Sequence, residues 1–316
     1  MPRGSPDPLA LIPPARAGDA RARARLFSLV ENGGPAARIV LEHLAACAGR
    51  ARVVGITGPP GAGKSTLLGG LARSFRADGQ TVAVLAVDPS SPFSGGALLG
   101  DRLRMAALQG DPGACIRSVA TRGAVGGLAR RVDDLVAVAD GLGFDVVLVE
   151  TVGAGQDEVA IARVAPTVVL VETPELGDEV QAIKAGLLEI ADILVVNKAD
   201  RGGADEAAAI LRAMLAPRAS GWRVPVVRTV AATGEGVPEL YAAVTAHRAH
   251  LEESGRLAAW QAERTRARLL EAFRERVVAR AMAALSEEDV AGLVGEVLAG
   301  RLTLDAAADR LADRGD

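Results

Sequence analysis

Eight consecutive residues, Gly58-Pro59-Pro60-Gly61-Ala62-Gly63-Lys64-Ser65, constrain this chain more than any other stretch. They fit the pattern G-x-x-x-x-G-K-[ST] at every fixed position, directly after the apolar run 53–57 and directly before the helical run 65–76. Glycines let a backbone curl until successive N–H groups point at one anion, and the following helix N-terminus adds a favourable dipole. Such a strand–loop–helix unit cradles phosphate. Lys64 is expected to reach the β- and γ-phosphates of a nucleotide and Ser65 Oγ to ligate Mg²⁺, with Gly58 through Gly63 and Thr66 completing the cradle. The competing reading, a glycine-rich turn with a chance lysine, has to explain all four fixed positions in the required context.

Short β-branched runs recur along the chain at 53–57, 82–87, 116–119, 146–149, 168–171, 193–196 and 226–230, with helical stretches between them. Strands buried on both faces look like this. The alternation predicts an α/β fold with a mainly parallel sheet and helices on both faces. With 316 residues and 49% hydrophobic content, the chain can build one substantial core and a smaller appendage.

Asn197-Lys198-Ala199-Asp200 closes the run 193–196. A carboxylate at that strand end accepts hydrogen bonds from guanine N1–H and the 2-amino group, donors that adenine lacks there. Asn197 is expected to position the loop and Lys198 to lie along the base. Ala231, Ala232 and Thr233, after the last strand, are expected to offer backbone N–H groups to it. Alone, the four-residue pattern also reads as a helix-capping Asp; several β–α units downstream of a phosphate loop it points to guanine.

Asp88 ends the run 82–87 and opens Asp88-Pro89-Ser90-Ser91-Pro92. Carboxylates at the carboxyl end of a neighbouring strand face the nucleotide crevice, so Asp88 is a candidate Mg²⁺ ligand, directly or through water. An Asp before Pro also forms turns. Asp101, in the glycine-rich stretch 95–102, is a candidate for both metal binding and catalysis, or part of a plain solvent loop. Glu150 ends the run 146–149 and carries the same double expectation. Thr151-Val152-Gly153 follows it, placing Gly153 N–H to sense a γ-phosphate, and Gln156 is a candidate to orient the attacking water or a solvated residue at a helix start.

These segments resemble the MeaB/ArgK-type P-loop GTPases, the G-protein chaperones of adenosylcobalamin-dependent acyl-CoA mutases. The likeness covers nearly the whole chain, from Leu29-Val30-Glu31-Asn32-Gly33 through the phosphate loop to Asn197-Lys198-Ala199-Asp200. Its most specific parts are Asp88-Pro89-Ser90-Ser91-Pro92 and Gly100-Asp101-Arg102-Leu103-Arg104-Met105. Glu150-Thr151-Val152-Gly153-Ala154-Gly155-Gln156 belongs to it as well. The resemblance implies GTP/GDP and Mg²⁺ as ligands, GTP hydrolysis, and control of cofactor loading and protection on a mutase partner. It implies that residues 178–186 form an extra switch through which the mutase reaches the nucleotide, with Lys184 brought toward the site. It also implies a homodimer built by the C-terminal helices. The chain departs from the usual family pattern at Pro174-Glu175-Leu176-Gly177, which adds a carboxylate, and at Lys184-Ala185, where some members carry two basic residues.

The expected organisation is an N-terminal helical extension at 1–50, a GTPase domain at 51–246 and a C-terminal helical dimerisation region at 247–316. In the last, Leu257, Trp260, Leu270, Phe273, Val277, Ala281 and Leu285 share one helical face, a stripe longer than one domain face covers. Ser286 and the acidic residues after it read as a helix cap.

Composition trims the alternatives. A net charge of −3 and 3% aromatic residues give no basic or stacking surface for nucleic acid or an anionic membrane. No apolar run approaches the roughly 18 residues of a membrane span, and residues 1–14 lack the apolar core of a signal peptide. A cytoplasmic protein is expected. A metal-insertion GTPase of the urease/hydrogenase maturation type needs clustered Cys or His. Here only Cys47, Cys115, His43, His247 and His250 occur, and the last two, three residues apart, are expected to be solvated helix residues. An ATP-dependent kinase of an amino-acid transport system needs an acceptor site and a base, and no residue pattern offers either. Four methionines are too few for the signal-peptide-binding domain of a signal-recognition GTPase.

Overall fold

Among the described residues, seven parallel strands form a single sheet in the order β3-β2-β4-β1-β5-β6-β7. They are β1 (Arg52–Thr57), β2 (Val82–Asp88), β3 (Ala114–Ala120), β4 (Val146–Thr151), β5 (Thr167–Glu172), β6 (Ile193–Asn197) and β7 (Val226–Thr229). The chain is seen in a computed structural model that describes residues 7–88, 108, 110–120, 127–151, 157–174, 185–215 and 220–315. Around the sheet lie α1 (Ile12–Arg16), α2 (Ala20–Asn32), α3 (Pro35–Ala45), α4 (Lys64–Ala77), α5 (Gly127–Leu142), α6 (Asp157–Val164), α7 (Ala185–Ile190), α8 (Ala204–Met214) and α9 (Val237–Glu253).

Helices cover both faces, as the uninterrupted apolar strands require. Successive strand residues point to opposite sides, so Val53, Leu85, Val147 and Val149 pack toward α2, α3 and α5, through Leu26, Phe27, Val40, Leu44 and Leu135. Val54, Ile56, Val84 and Leu148 pack toward α4 and α9, through Leu67, Leu71, Phe75, Leu240 and Val244. A third cluster joins Leu170, Leu194 and Val196 to Leu187 of α7 and Leu211 of α8. β1 lies between β4 and β5, with β2 beyond β4. The carboxyl end of β1 is therefore the topological switch point where doubly wound folds bind ligands.

The first helices share this core. Arg23 of α2 is 7% exposed; its Nε donates to Ala15 O at 2.9 Å and a terminal nitrogen to Pro112 O at 2.8 Å. Its guanidinium stands 4.8 Å from the Phe144 ring centre. Asp140 of α5 accepts the backbone N–H groups of Arg50 and Ala51 at 3.1 and 2.9 Å, and Arg117 of β3 pairs with Glu31. Residues 7–50 thus belong to the same compact unit as the sheet, which ends at Arg256. α9 passes unbroken through position 246, so the expected partition at 246/247 falls within a helix.

The second compact unit is Leu257–Asp316. Its main element, α10 (Arg256–Ala284), buries no residue, and α11 (Glu287–Leu298) and α12 (Leu304–Gly315) follow. Ser286 caps α11: its side chain accepts from Asp289 N at 3.1 Å while Asp289 accepts from Ser286 N at 3.2 Å. No helix among the described residues is long and apolar enough to cross a membrane.

One expectation is corrected. His247 is not solvated but 2% exposed, on the α9 face that also buries Leu240, Val244 and Leu251. Its Nδ1 lies 3.0 Å from Thr167 Oγ1 and its Nε2 3.6 Å from Asp192 Oδ1. The Trp222 ring stands 4.8 Å from that of His247 and 5.3 Å from that of His250. Among the described residues, no three His, Cys, Asp or Glu side chains are placed to hold a metal ion together.

Candidate nucleotide-binding site

β1 delivers the chain into the phosphate loop, and two glycines make its path feasible. Gly58 has φ 139°, and a Cβ there would lie 2.1 Å from Val171 O of β5. Gly63 has φ 90°, and a Cβ there would lie 2.3 Å from Asn197 Nδ2. Any other residue would carry both backbone strain and a collision. Beyond Gly63 the chain enters α4, a 14-residue helix whose N-terminal N–H groups have no intrahelical acceptor. That end suits a phosphate. Pro60 and Gly61 are exposed at the crest of the loop, Pro59, Gly63 and Thr66 are half-buried, and Ala62 is buried.

Lys64 and Ser65 open α4 and are 5% and 6% exposed. Lys64 Nζ donates to Gly58 O at 2.7 Å and Pro59 O at 2.8 Å, so the ammonium sits inside the curl of the loop. Ser65 Oγ donates to Glu150 Oε1 at 2.8 Å, and Glu150 is 3% exposed at the end of β4. A hydroxyl and a carboxylate oxygen brought together beside a phosphate-binding helix end form a hard-oxygen donor set. It fits Mg²⁺, which takes one or two protein ligands and fills its remaining positions with phosphate and water.

The guanine motif leaves β6 at Asn197, which is 2% exposed and ties three segments together. Its Nδ2 donates to Ala62 O of the phosphate loop at 2.7 Å. Its Oδ1 accepts from Thr229 Oγ1 and from Ala231 N, both at 3.0 Å. The phosphate loop, the Asn197–Asp200 corner and the loop after β7 are therefore held as one body. Lys198 has φ 59°, the sole positive φ outside glycine among the described residues. Strain of this kind gathers where function demands it. Asp200 is exposed at the end of this corner. Ala232 and Thr233 are exposed in the turn after Ala231, where Thr233 Oγ1 donates to Val230 O at 3.2 Å.

The structure thus brings together residues 58–66, Glu150, Asn197, Lys198 and Ala231. Asp88 ends β2 opposite Ala120, and its side chain lies outside what is described. Asp101, Gly153, Gln156 and Lys184 lie outside the described residues.

Sequence reasoning missed two features. Glu172 closes β5 at 6% exposure, in register with Val196 beside Asn197. The signal was available, because a carboxylate at the end of a buried parallel strand is the rule that selected Asp88 and Glu150. Thr57 and Thr151, which end β1 and β4, share a hydroxyl–hydroxyl hydrogen bond of 3.1 Å. Burial pushes the Cys115 thiol up, the wrong direction for a nucleophile or a soft-metal ligand.

Comparison with known proteins gives a consistent picture. A family model described as methylmalonyl Co-A mutase-associated GTPase MeaB matches residues 23–286. A putative GTPase of Pyrococcus horikoshii is 49% identical over 290 residues, covering 90% of this chain and 92% of its own. The mouse protein named methylmalonic aciduria type A homolog, mitochondrial, is 37% identical over 274 residues, covering 82% of this chain and 64% of its own. A crystal structure described as a LAO/AO transport system kinase aligns with a TM-score of 0.72 at 26% identity, over 99% of both chains.

Proposed function

The chain belongs to the MeaB family of GTPases, and from that premise we propose that it binds GTP with Mg²⁺, hydrolyses it to GDP and phosphate, and acts as a chaperone of an adenosylcobalamin-dependent acyl-CoA mutase. The observation that carries the nucleotide reading is Asn197. One buried amide holds the phosphate loop through Ala62 and the base loop through Ala231, the linkage a site needs if it is to grip both ends of one nucleotide. The partner reading rests on the family and on the name of the mouse relative.

In this reading the α4 N-terminus and the loop N–H groups hold the phosphates, and Lys64 turns from the Gly58 and Pro59 carbonyls to the β,γ-bridge. Ser65 and Glu150 hold Mg²⁺, with Asp88 and Asp101 as further candidates; when bound, the ion neutralises charge on the phosphate oxygens. Gly153 N–H senses the γ-phosphate and Gln156 orients the attacking water. Asp200 accepts the guanine donors while Lys198 lies along the base, with Ala231, Ala232 and Thr233 closing the pocket. None of these positions supplies an arginine over the γ-phosphate, so intrinsic hydrolysis is expected to be slow.

Binding of the mutase is expected to accelerate turnover by about 10³–10⁵-fold, the range for completing such a site. It would do so by reordering residues 178–186 and bringing Lys184 inward. By linkage, the nucleotide state that favours the mutase is itself favoured in the complex. Turnover measured with and without adenosylcobalamin-dependent acyl-CoA mutases, for wild type and Lys184→Ala, tests this. Absence of stimulation by every such mutase argues against the chaperone role. Stimulation that survives Lys184→Ala keeps the role and discards the lysine contact.

A homodimer is part of the same proposal. Leu269, Leu270, Phe273, Val277, Val278 and Met282 of α10 are 42–68% exposed, an apolar surface of the kind that marks interfaces. Light scattering at micromolar concentration with nucleotide is expected to give twice the monomer mass; a monomer would remove this part.

A further inference from the structure

The β1–β4 ladder stops at Ile56 opposite Glu150. One residue further on, where each strand turns into its loop, the backbones are tied by side chains: Thr151 Oγ1 donates to Thr57 Oγ1 at 3.1 Å. Thr57 is 1% exposed and Thr151 6%. Each borders a functional segment: Thr57 immediately precedes Gly58, and Thr151 immediately follows Glu150. Because side chains alternate along a strand, Thr151 lies on the opposite side of the sheet from Glu150, which reaches Ser65 at the start of α4. The threonine pair thus lies on the face away from the Ser65–Glu150 contact and is buried there. From there it sets where the ends of the two strands sit.

We infer that the Thr57–Thr151 pair is a positioning device that holds the Glu150 carboxylate on Ser65 and so sets how strongly Mg²⁺ strengthens nucleotide binding. The inference rests on the Mg²⁺–GTPase reading of the site and deepens it. β4 stays laddered to β2 through Thr151 opposite Val87, and β1 to β5 through Thr57 opposite Leu170, but between β1 and β4 the ladder ends at Glu150 and the threonine hydrogen bond carries the contact one residue further. A shift of β4 relative to β1 lengthens the 2.8 Å contact between Glu150 and Ser65. It leaves untouched the phosphate loop's own hold on the anion, built from glycine geometry and the α4 N-terminus. The pair should therefore govern the metal-dependent part of binding and not the metal-free part.

Replacing a single hydroxyl leaves its partner buried without a bond, whereas replacing both by groups of the same shape is close to neutral for stability. That difference separates positioning from simple structural support. The experiment measures GDP affinity by calorimetry with and without Mg²⁺, and thermal midpoints, for wild type, Thr57→Val, Thr151→Val, Thr151→Ser and the double valine variant. Each single valine variant is expected to lose about 3–10-fold of the affinity gained from Mg²⁺, the size of one neutral hydrogen bond, with metal-free GDP affinity unchanged. Thr151→Ser keeps the gain. The double variant recovers its melting temperature but not its Mg²⁺ dependence. Wild-type Mg²⁺ dependence in either single valine variant, or recovery of that dependence along with stability in the double variant, overturns the inference alone. A wild-type protein whose GDP binding ignores Mg²⁺ overturns the inference and the site reading together.

Discussion

Lys64→Ala is expected to reduce single-turnover GTP hydrolysis at saturating nucleotide by about 10²–10³-fold or more, the loss seen when one pre-organised donor is taken from developing charge. Lys64 is 5% exposed and enclosed by the Gly58 and Pro59 carbonyls. Its charge is thus already stripped of most solvent and held within the loop, so that exchanging the two carbonyls for phosphate oxygens is the only change the proposed role asks of it. Alanine also leaves those carbonyls without their donor, so part of any loss could reflect a loosened loop. Lys64→Arg separates the two. It keeps the charge and can still serve the carbonyls, but a planar guanidinium does not replace a compact ammonium at a point contact. A rate within tenfold of wild type for Lys64→Ala in rapid quench would remove the residue from the catalytic set.

Asp200→Asn is expected to erase the preference for GTP over ATP. Two hydrogen bonds to a charged acceptor, at about 1.5–3 kcal/mol each, amount to roughly 10²–10⁴ in selectivity. An amide offers one acceptor and one donor where guanine presents two donors. The loss should fall on base recognition alone, because Asp200 is exposed at the corner and the links from that corner to the phosphate loop run through Asn197. The readout is the ratio of GTP to ATP affinity by calorimetry, with inorganic phosphate release as a second measure. An unchanged ratio in Asp200→Asn would reassign the carboxylate to capping the turn before α8.

Much of this site was legible in the chain. The phosphate loop lies between β1 and α4 as its pattern demands, and the run read at 193–196 is β6, ending one residue later at Asn197. The run read as 116–119 is β3, with bounds at Ala114 and Ala120. What escaped depends on partners distant in sequence. Nothing local to Asn197 says that its amide meets Ala62, 135 residues away. Nothing local to Thr57 or Thr151 pairs them, because that requires knowing that β1 and β4 are neighbours. His247 is a different case. It occupies an apolar position in the α9 stripe of Leu240, Val244 and Leu251, and reading it by residue type instead of helical phase put it in solvent. The roles given to Asp101, Gln156 and Lys184 still rest on motif position, since these residues lie outside the described structure.

The central place of β1 also bears on how the protein is made. Its two neighbours, β4 and β5, are both made well after it, and Thr57 and Thr151 are separated by 94 residues. At elongation rates of about 5–20 residues per second, the strand that carries the phosphate loop waits roughly 5–20 s after synthesis before a partner strand exists. During that interval an apolar β-strand is without a ladder, a state prone to association with other chains. The helices of the first 45 residues are made before it, and one face of β1 packs into the cluster they form, through Val53. They are placed to shelter the nascent strand until β4 arrives, so loss of this N-terminal segment would be felt first as a fall in the yield of folded chains.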